Sequence, residues 1–236
     1  MSIRKKILAI SIGPVLVLGV ITLLFMLTMV KSSLMDEVQD ALKGTAAATL
    51  AAYDQNTGDY LESTNGDIWK GSYNISKSES LVDRIKENTG MDVTFFYGNK
   101  RIMTSALDKK GNRILGSEAG ERVVNQVIKG KKPFFSTNVS LDGTRNYGYF
   151  IPVYQNGTTD QVIGMVFVGT NKARKDAIVN KILGSIMMAL LVVMLLCIVT
   201  AMRMAASISK NIKNSVAVVG KLADGDLNVW VDEKLL

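Results

Sequence analysis

Residues 91–105 read MDVTFFYGNKRIMTS, two runs rich in β-branched and aromatic residues around Gly98-Asn99. Two such runs joined by a two-residue Gly-Asn turn are typical of a β-hairpin. We therefore predict strands at Asp92–Tyr97 and Lys100–Ser105. A two-residue turn pairs Tyr97 with Lys100, and continuing that pairing sets Phe96 opposite Arg101, Phe95 opposite Ile102 and Thr94 opposite Met103.

This pairing gives the predicted hairpin two different faces. The more apolar one carries Val93, Phe95 and Ile102 and is expected to pack on a helix. The predicted ligand site combines the second hairpin face with a face of the strand at 144–154: Phe96, Arg101, Met103, Ser105, Arg145, Tyr147 and Tyr149. The guanidinium groups of Arg101 and Arg145 favour a carboxylate ligand, because they match its bidentate geometry. The alternative is that Arg101 extends to water near the turn and that both tyrosines serve cross-strand packing.

The segments around the hairpin predict an α+β domain. Upstream, helical spacing continues from the N-terminal region to about Tyr53, and a short helix is expected at Glu79–Thr89. Downstream, helical spacing covers Glu118–Ile128. Strands are then expected at Pro133–Ser140, Thr144–Tyr154 and Gln161–Gly169, joined by turns at Asp142-Gly143 and Asn156-Gly157. The expected fold is a long N-terminal helix packed on an antiparallel sheet of about five strands.

Two uninterrupted apolar stretches flank this domain, at 7–30 and 182–202, without a charged residue in either. At 1.5 Å rise per residue they correspond to helices of about 36 and 31 Å, enough to cross a hydrocarbon core of about 30 Å. The predicted organisation is an N-terminus at 1–6, a first transmembrane helix at 7–30, a sensor domain at 31–181, a second transmembrane helix at 182–202 and a tail at 203–236. The first apolar stretch is longer than a secretory signal core, which favours an uncleaved anchor.

Basic residues predict the orientation in the membrane. Arg4, Lys5 and Lys6 precede the first span, and Arg203 to Lys221 contains four basic residues with no acidic one. By the positive-inside rule both termini are expected in the cytoplasm and the sensor domain outside the plasma membrane. The basic cluster between Lys172 and Lys181 opposes this, although long domains translocate largely regardless of charge.

Composition also removes several classes of function. The chain has no histidine and a single cysteine, Cys197, which lies within the second apolar stretch. Zinc sites built on Cys and His, and nucleophilic triads built on His, are therefore excluded. We expect no catalytic residues, no metal, no cofactor and no nucleic-acid binding, since no basic patch is interleaved with aromatic residues.

Several spaced motifs resemble single Cache sensor domains: the hairpin at 91–105, Gly116-Ser117 with the helix after it, and the strands YGYFIPVY at 147–154 and VIGMVFVG at 162–169. The resemblance covers roughly residues 31–180, and such domains are the extracytoplasmic sensors of bacterial chemoreceptors and sensor kinases. With its flanking apolar stretches the chain resembles the N-terminal part of a bacterial methyl-accepting chemotaxis receptor. The resemblance implies a Cache/PAS-like fold and an extracellular ligand that is a small organic acid or amino acid.

The tail resembles the start of a HAMP signal-conversion module. Apolar and small residues follow a 4-3-4-3-4-3 spacing, which is typical of a coiled-coil seam: Ala201, Ala205, Ile208, Ile212, Ser215, Val219 and Leu222. Gly225, Asp226 and Leu227 then match the HAMP connector. One departure is that Asn211 stands where the proline of that helix is usual. The resemblance implies a parallel homodimer.

These observations predict a transmembrane chemoreceptor that passes a signal through the second span to a HAMP module. One alternative is the sensory half of a membrane histidine kinase or a cyclic-dinucleotide enzyme that lacks its output domain. Another is a membrane-anchored binding protein. The partners expected are a small-molecule ligand, the lipid bilayer and a second copy of the chain. A chemotaxis kinase complex is expected only if an output domain follows.

Overall fold

The computed structural model describes residues 3–224, with side chains from residue 6 onward. The chain divides into two compact units, Ser32–Asn180 and a unit that combines Met1–Lys31 with Lys181–Leu236. Its elements in chain order are α1 (Ile3–Asp54), β1 (Tyr60–Glu62), β2 (Ile68–Lys70), β3 (Tyr73–Asn74), a 3-10 turn (Ile75–Lys77), α2 (Glu79–Thr89), β4 (Asp92–Tyr97), β5 (Lys100–Thr104), α3 (Glu121–Val123) continuing as a π-helical segment (Val124–Lys129), β6 (Phe134–Leu141), β7 (Thr144–Tyr154), β8 (Val162–Asn171) and α4 (Lys172–Ala223).

The main sheet has five antiparallel strands in the order β5-β4-β8-β7-β6. The predicted hairpin forms β4 and β5, and the predicted meander forms β6, β7 and β8. The chain returns to the hairpin through β8, which pairs with β4 from Asp92↔Gly169 to Tyr97↔Gly164. The expected α+β fold, with a long N-terminal helix and a five-stranded antiparallel sheet, is confirmed.

One face of the sheet packs on the outer part of α1. Val38, Leu42, Ala46 and Tyr53 recur at helical spacing and are buried in one cluster with side chains from the sheet. The sheet contributes Val93, Phe95, Tyr147, Tyr149, Val153, Val166 and Val168 to this cluster. Because successive strand residues point to opposite faces, the residues between them face the other side of the sheet.

A small second sheet, β1-β2-β3, lies between α1 and α2 in sequence and was not expected. Its strands have only two or three residues, too few for a clear alternating pattern. The side chain of Gln155 fixes it to the end of β7, accepting from the backbone N–H of Tyr60 at 2.7 Å and donating to the Tyr60 carbonyl at 3.0 Å. Its position therefore depends on a contact between residues far apart in sequence.

Helices α1 and α4 each contain a stretch long and apolar enough to cross a membrane. Within the unit that holds these stretches, a Cβ added at Gly19 would come within 2.6 Å of the Met194 sulfur. The two helices therefore approach closely at a residue without a side chain, as membrane helices commonly do. Helix α4 continues through the predicted coiled-coil seam to Ala223, whereas Gly225, Asp226 and Leu227 lie outside the described residues.

Candidate functional site

A cavity of about 520 Å³ opens on the sheet face opposite α1. Residues from all five strands of the main sheet, α3 and the segment before α3 line it: Phe96, Arg101, Glu118, Ala119, Gly120, Arg122, Val123, Phe134, Phe135, Ser136, Thr137, Asn138, Val139, Ser140, Phe150 and Phe167. Its volume lies in the range of small-molecule sites, and its walls combine apolar rings with a few polar groups, as such sites usually do.

The floor of the cavity is aromatic. The rings of Phe150 and Phe167 lie 4.8 Å apart between centroids at an angle of 41°. A Cβ added to Gly148 or Gly169 would come within 2.5 and 2.4 Å of the Phe167 ring, so these paired glycines leave the space that the ring occupies. The ring is held against the sheet backbone at the floor of the cavity.

Arg101 supplies a buried positive charge at this floor. Its side chain is only 8% exposed, and its guanidinium carbon lies 5.3 Å from the centroid of the Phe96 ring. Nη1 donates a long hydrogen bond of 3.4 Å to the Ile114 carbonyl, while among the described residues no atom accepts a hydrogen bond from Nε. A buried charge with an unused donor costs free energy unless an anion or polar group pairs with it.

No carboxylate of the domain neutralises this charge directly. Burial lowers the pKa of Arg101, and the charge of Asp92 raises it in part. Asp92 itself forms an ion pair with Lys86 at 2.7 Å. Since a guanidinium stays protonated in proteins, burial leaves Arg101 charged and under-paired.

The segment Ala106–Ala119 forms a strap along β5 and covers the arginine. Arg101 N–H donates to the Ser117 carbonyl at 2.9 Å, and its carbonyl accepts from Gly116 N–H at 2.9 Å. Arg113 anchors the strap to α2 through both oxygens of Asp83, at 2.9 and 2.5 Å, and donates to the Thr104 carbonyl at 2.7 Å. The strap thus brings Glu118 and Ala119 to the cavity wall.

The Asp83→Asn variant is expected to loosen the strap and to reduce the acid sensitivity of the domain. Hydrogen bonds from Arg113 lower the pKa of Asp83, so its stabilisation is present above the unfolded-state value near 3.9 and is lost as pH falls through the folded-state value. We expect the free energy of unfolding of the variant to be lower than that of the parent by about 1 kcal/mol at pH 7, and by less at pH 3. Thermal unfolding at both pH values, with exposed Glu87→Gln as control, measures this, and equal losses at both pH values would contradict it.

Residues 73–182 match a protein-family model described as single cache domain 3. No curated protein matches the chain. Among solved structures, an extracellular ligand binding receptor from Desulfohalobium retbaense aligns with 14% identity and a TM-score of 0.44, over 62% of this chain and 25% of that chain. The DcuS sensor domain from E. coli aligns with 13% identity and a TM-score of 0.37, over 64% of this chain and 98% of that chain.

The unit Ser32–Asn180 brings only two of the seven predicted ligand residues to the cavity, Phe96 and Arg101. The predicted register is wrong beyond this pair, because a bulge between Phe95 and Phe96 sets Phe95 opposite Met103 and Thr94 opposite Thr104. Met103 therefore joins the cluster that packs on α1. Ser105 also lies away from the cavity and accepts from the Val93 N–H at 2.9 Å.

The three residues predicted on β7 do not line the cavity either. Arg145 is exposed, and Tyr147 and Tyr149 point to the α1 side of the sheet. The residues of β7 that face the cavity side are Gly148 and Phe150. The predicted alternation along β7 was correct, but the sequence does not say which of its two aromatic faces lies on the cavity side.

Tyr147 instead connects the main sheet to the beginning of α4. Its hydroxyl donates to Asp176 at 2.5 Å and accepts from Lys172 Nζ at 2.6 Å. The same Nζ lies 4.1 Å from the centroid of the Tyr147 ring. Burial, the largest effect, and the bond to Asp176 raise the pKa of the Tyr147 hydroxyl, so it stays protonated as a donor.

Sequence reasoning missed most of the cavity wall. Phe134, Phe135 and Phe150 come from strands that were predicted, and their aromatic character was the available signal. Glu118 and Arg122 were assigned only to a helix, yet both lie at the exposed edge of the cavity.

Proposed function

We propose that this protein is a transmembrane chemoreceptor whose Cache domain binds a small carboxylate, an organic acid or amino acid, outside the cell. The observation that carries the proposal is the buried guanidinium of Arg101, which lines a cavity of about 520 Å³ and lacks an acceptor at Nε among the described residues. A carboxylate matches this donor in charge and in geometry.

In the proposed organisation, residues 7–30 and 182–202 span the membrane, residues 31–181 form the external domain and both termini are cytoplasmic. The cluster Arg4, Lys5 and Lys6 and the basic residues after Arg203 support this orientation. The two apolar helices flanking a Cache domain support a ligand-sensing membrane receptor.

Cysteine labelling is expected to report this orientation as an all-or-none result. In a Cys197→Ala background, Glu87→Cys on exposed α2 should react with a membrane-impermeant maleimide on spheroplasts. Lys210→Cys, exposed on α4, should react only after permeabilisation. Labelling of Lys210→Cys on intact spheroplasts, with Glu87→Cys protected, would reverse the proposed orientation.

The signal in this proposal leaves the domain through α4. Strand β8 ends at Asn171, and α4 begins at the next residue. Tyr147, Lys172 and Asp176 tie the beginning of this helix to β7, whose neighbouring residues Gly148 and Phe150 face the cavity. The seam from Ala201 to Leu222, followed by Gly225, Asp226 and Leu227, supports transmission into a HAMP module in a parallel homodimer.

Titration calorimetry on the whole chain in lipid nanodiscs tests the proposed ligand chemistry. The probes are acetate, succinate, L-alanine, L-phenylalanine and 3-phenylpropanoate, each with its uncharged amide or alcohol counterpart. At least one carboxylate should bind saturably and far more tightly than its uncharged counterpart. If none of them binds, or if charge makes no difference, the proposal that a carboxylate is the ligand is wrong.

A further inference from the structure

We infer that the cavity takes a monocarboxylate with a flat apolar body in preference to a dicarboxylate or an amino acid. This inference rests on the proposed function, because it specifies the ligand class of the same cavity. It follows from the number of buried charges in the cavity, their placement and the shape of the apolar walls.

The buried part of the cavity holds one charge. Arg101 is 8% exposed, whereas Arg122 and Glu118 are exposed at the edge. Among residues 6–224, no Asp or Glu side chain is buried, so the domain provides no internal anion for Arg101. One ligand carboxylate balances this charge and accepts from the guanidinium of Arg101, whose Nε has no acceptor within the described part of the chain.

A second ionised group on the ligand has no comparable partner. A second carboxylate would either lie among phenylalanine rings without a cation or reach Arg122, whose guanidinium already lies 5.4 Å from the Phe134 ring. Ion pairs at such exposed positions contribute little. An α-ammonium is attached one carbon from its carboxylate, so it would be held beside the Arg101 cation where no buried acid compensates it.

The apolar walls require a body larger than a methyl group. Phe96, Phe150 and Phe167 are 2%, 3% and 1% exposed and belong to one buried cluster on the cavity side of the sheet. Phe134 packs against this cluster, 6.4 Å from Phe150 between ring centroids. Rings arranged at such distances accept a further ring in tilted or stacked contact. A cavity of about 520 Å³ would leave acetate surrounded by water, while a phenyl or cyclohexyl group removes that water from the half-buried rings of Phe134 and Phe135.

Four probes that share a phenylalkyl body separate these contributions by calorimetry on the whole chain in nanodiscs. They are 3-phenylpropanoate, its amide, L-phenylalanine, which adds only the α-ammonium, and benzylsuccinate, which adds a second carboxylate. Acetate measures the carboxylate without the body. We expect 3-phenylpropanoate to bind about 100-fold more tightly than acetate, at least about 30-fold more tightly than the amide and about 10-fold more tightly than L-phenylalanine, with no gain for benzylsuccinate.

Two substitutions locate the binding. Arg101→Gln should make the acid and the amide bind equally, and Phe134→Ala should weaken 3-phenylpropanoate while leaving acetate unchanged. Arg145→Gln, at an exposed position outside the cavity, is the matched control for loss of an arginine. The acid-to-amide comparison on the unaltered chain keeps the test valid even if a variant fails to fold.

The outcomes separate the inference from the proposed function. If benzylsuccinate or L-phenylalanine binds more tightly than 3-phenylpropanoate, and this binding depends on Arg101, the inference of a monocarboxylate ligand is wrong. The proposal of a receptor for carboxylates then still stands. Absence of saturable binding of 3-phenylpropanoate also overturns the inference. If every carboxylate binds the Arg101→Gln variant as well as the parent, the proposed ligand site is wrong and the inference falls with it.

Discussion

The Arg101→Met variant is expected to bind small carboxylates about 100-fold more weakly than the parent, and yet to unfold at a higher temperature when no ligand is present. Binding is lost because the charged donor for the carboxylate is removed, and charge-assisted hydrogen bonds are the strong ones. The ligand-free protein becomes more stable because a buried cation without a carboxylate partner is replaced by an apolar side chain of similar length. The two opposite effects are measured by calorimetry and by thermal unfolding.

The thermal measurement can follow Trp69 in β2 in a Trp230→Phe background, so that the fluorescence reports the unit Ser32–Asn180. Arg145→Met is the matched control, because Arg145 is exposed and outside the cavity. If Arg101→Met unfolds more easily than the parent, the guanidinium has a structural function through Phe96 and Ile114. In that case its burial is no argument for a ligand.

The Gly164→Ala variant is expected to destabilise the unit Ser32–Asn180 by about 3 kcal/mol. A Cβ at Gly164 would lie 2.0 Å from the Phe96 carbonyl oxygen, which belongs to the backbone and cannot rotate away. Gly164 pairs with Tyr97 of β4 on one side and Val153 of β7 on the other. Strands β4 and β8 must therefore separate at the point that joins the hairpin to the meander.

For a unit of this size the expected loss corresponds to a melting temperature lower by roughly 6–12 °C. Gly44→Ala is the control, since Gly44 is exposed within α1 and a Cβ there meets nothing within 4 Å. That substitution should stabilise by about 1 kcal/mol through helix propensity alone. Equal melting temperatures for the Gly164→Ala and Gly44→Ala variants would show that β4 and β8 tolerate a wider separation at this point.

Much of the fold was predictable because it is encoded by local signals. The Gly98-Asn99 turn fixed the hairpin, and the helix predicted at Glu79–Thr89 has those limits in the structure, ending at Gly90 with a φ of 69°. A helix that ends in a left-handed glycine is a local motif that needs no tertiary contact to be recognised. The short strands β1 to β3 had no such signal, since a long-range contact with Gln155 holds them.

The candidate site was less predictable, because it depends on register and on which sheet face is covered. A single bulge reversed the side on which Met103 lies, and a shift of one residue moves every following side chain to the other face. Both faces of β7 are aromatic, with Tyr147 and Tyr149 on one side and Phe150 on the other, so composition could not select the cavity side. Arg101 precedes the bulge and therefore keeps its predicted partner Phe96 and its place on the cavity side.

The hydrogen of Arg101 Nε gives the sharpest readout of ligand capture, since within the described structure no atom accepts it. A ¹⁵N-arginine spectrum of the whole chain in nanodiscs, assigned through the Arg101→Lys variant, follows this group during titration with 3-phenylpropanoate. We expect a saturable downfield shift of the Arg101 Nε–H resonance at the midpoint found by calorimetry, with Arg145 unmoved. Saturable calorimetric binding that leaves the Arg101 resonance unchanged would contradict a receptor whose ligand is held by this arginine.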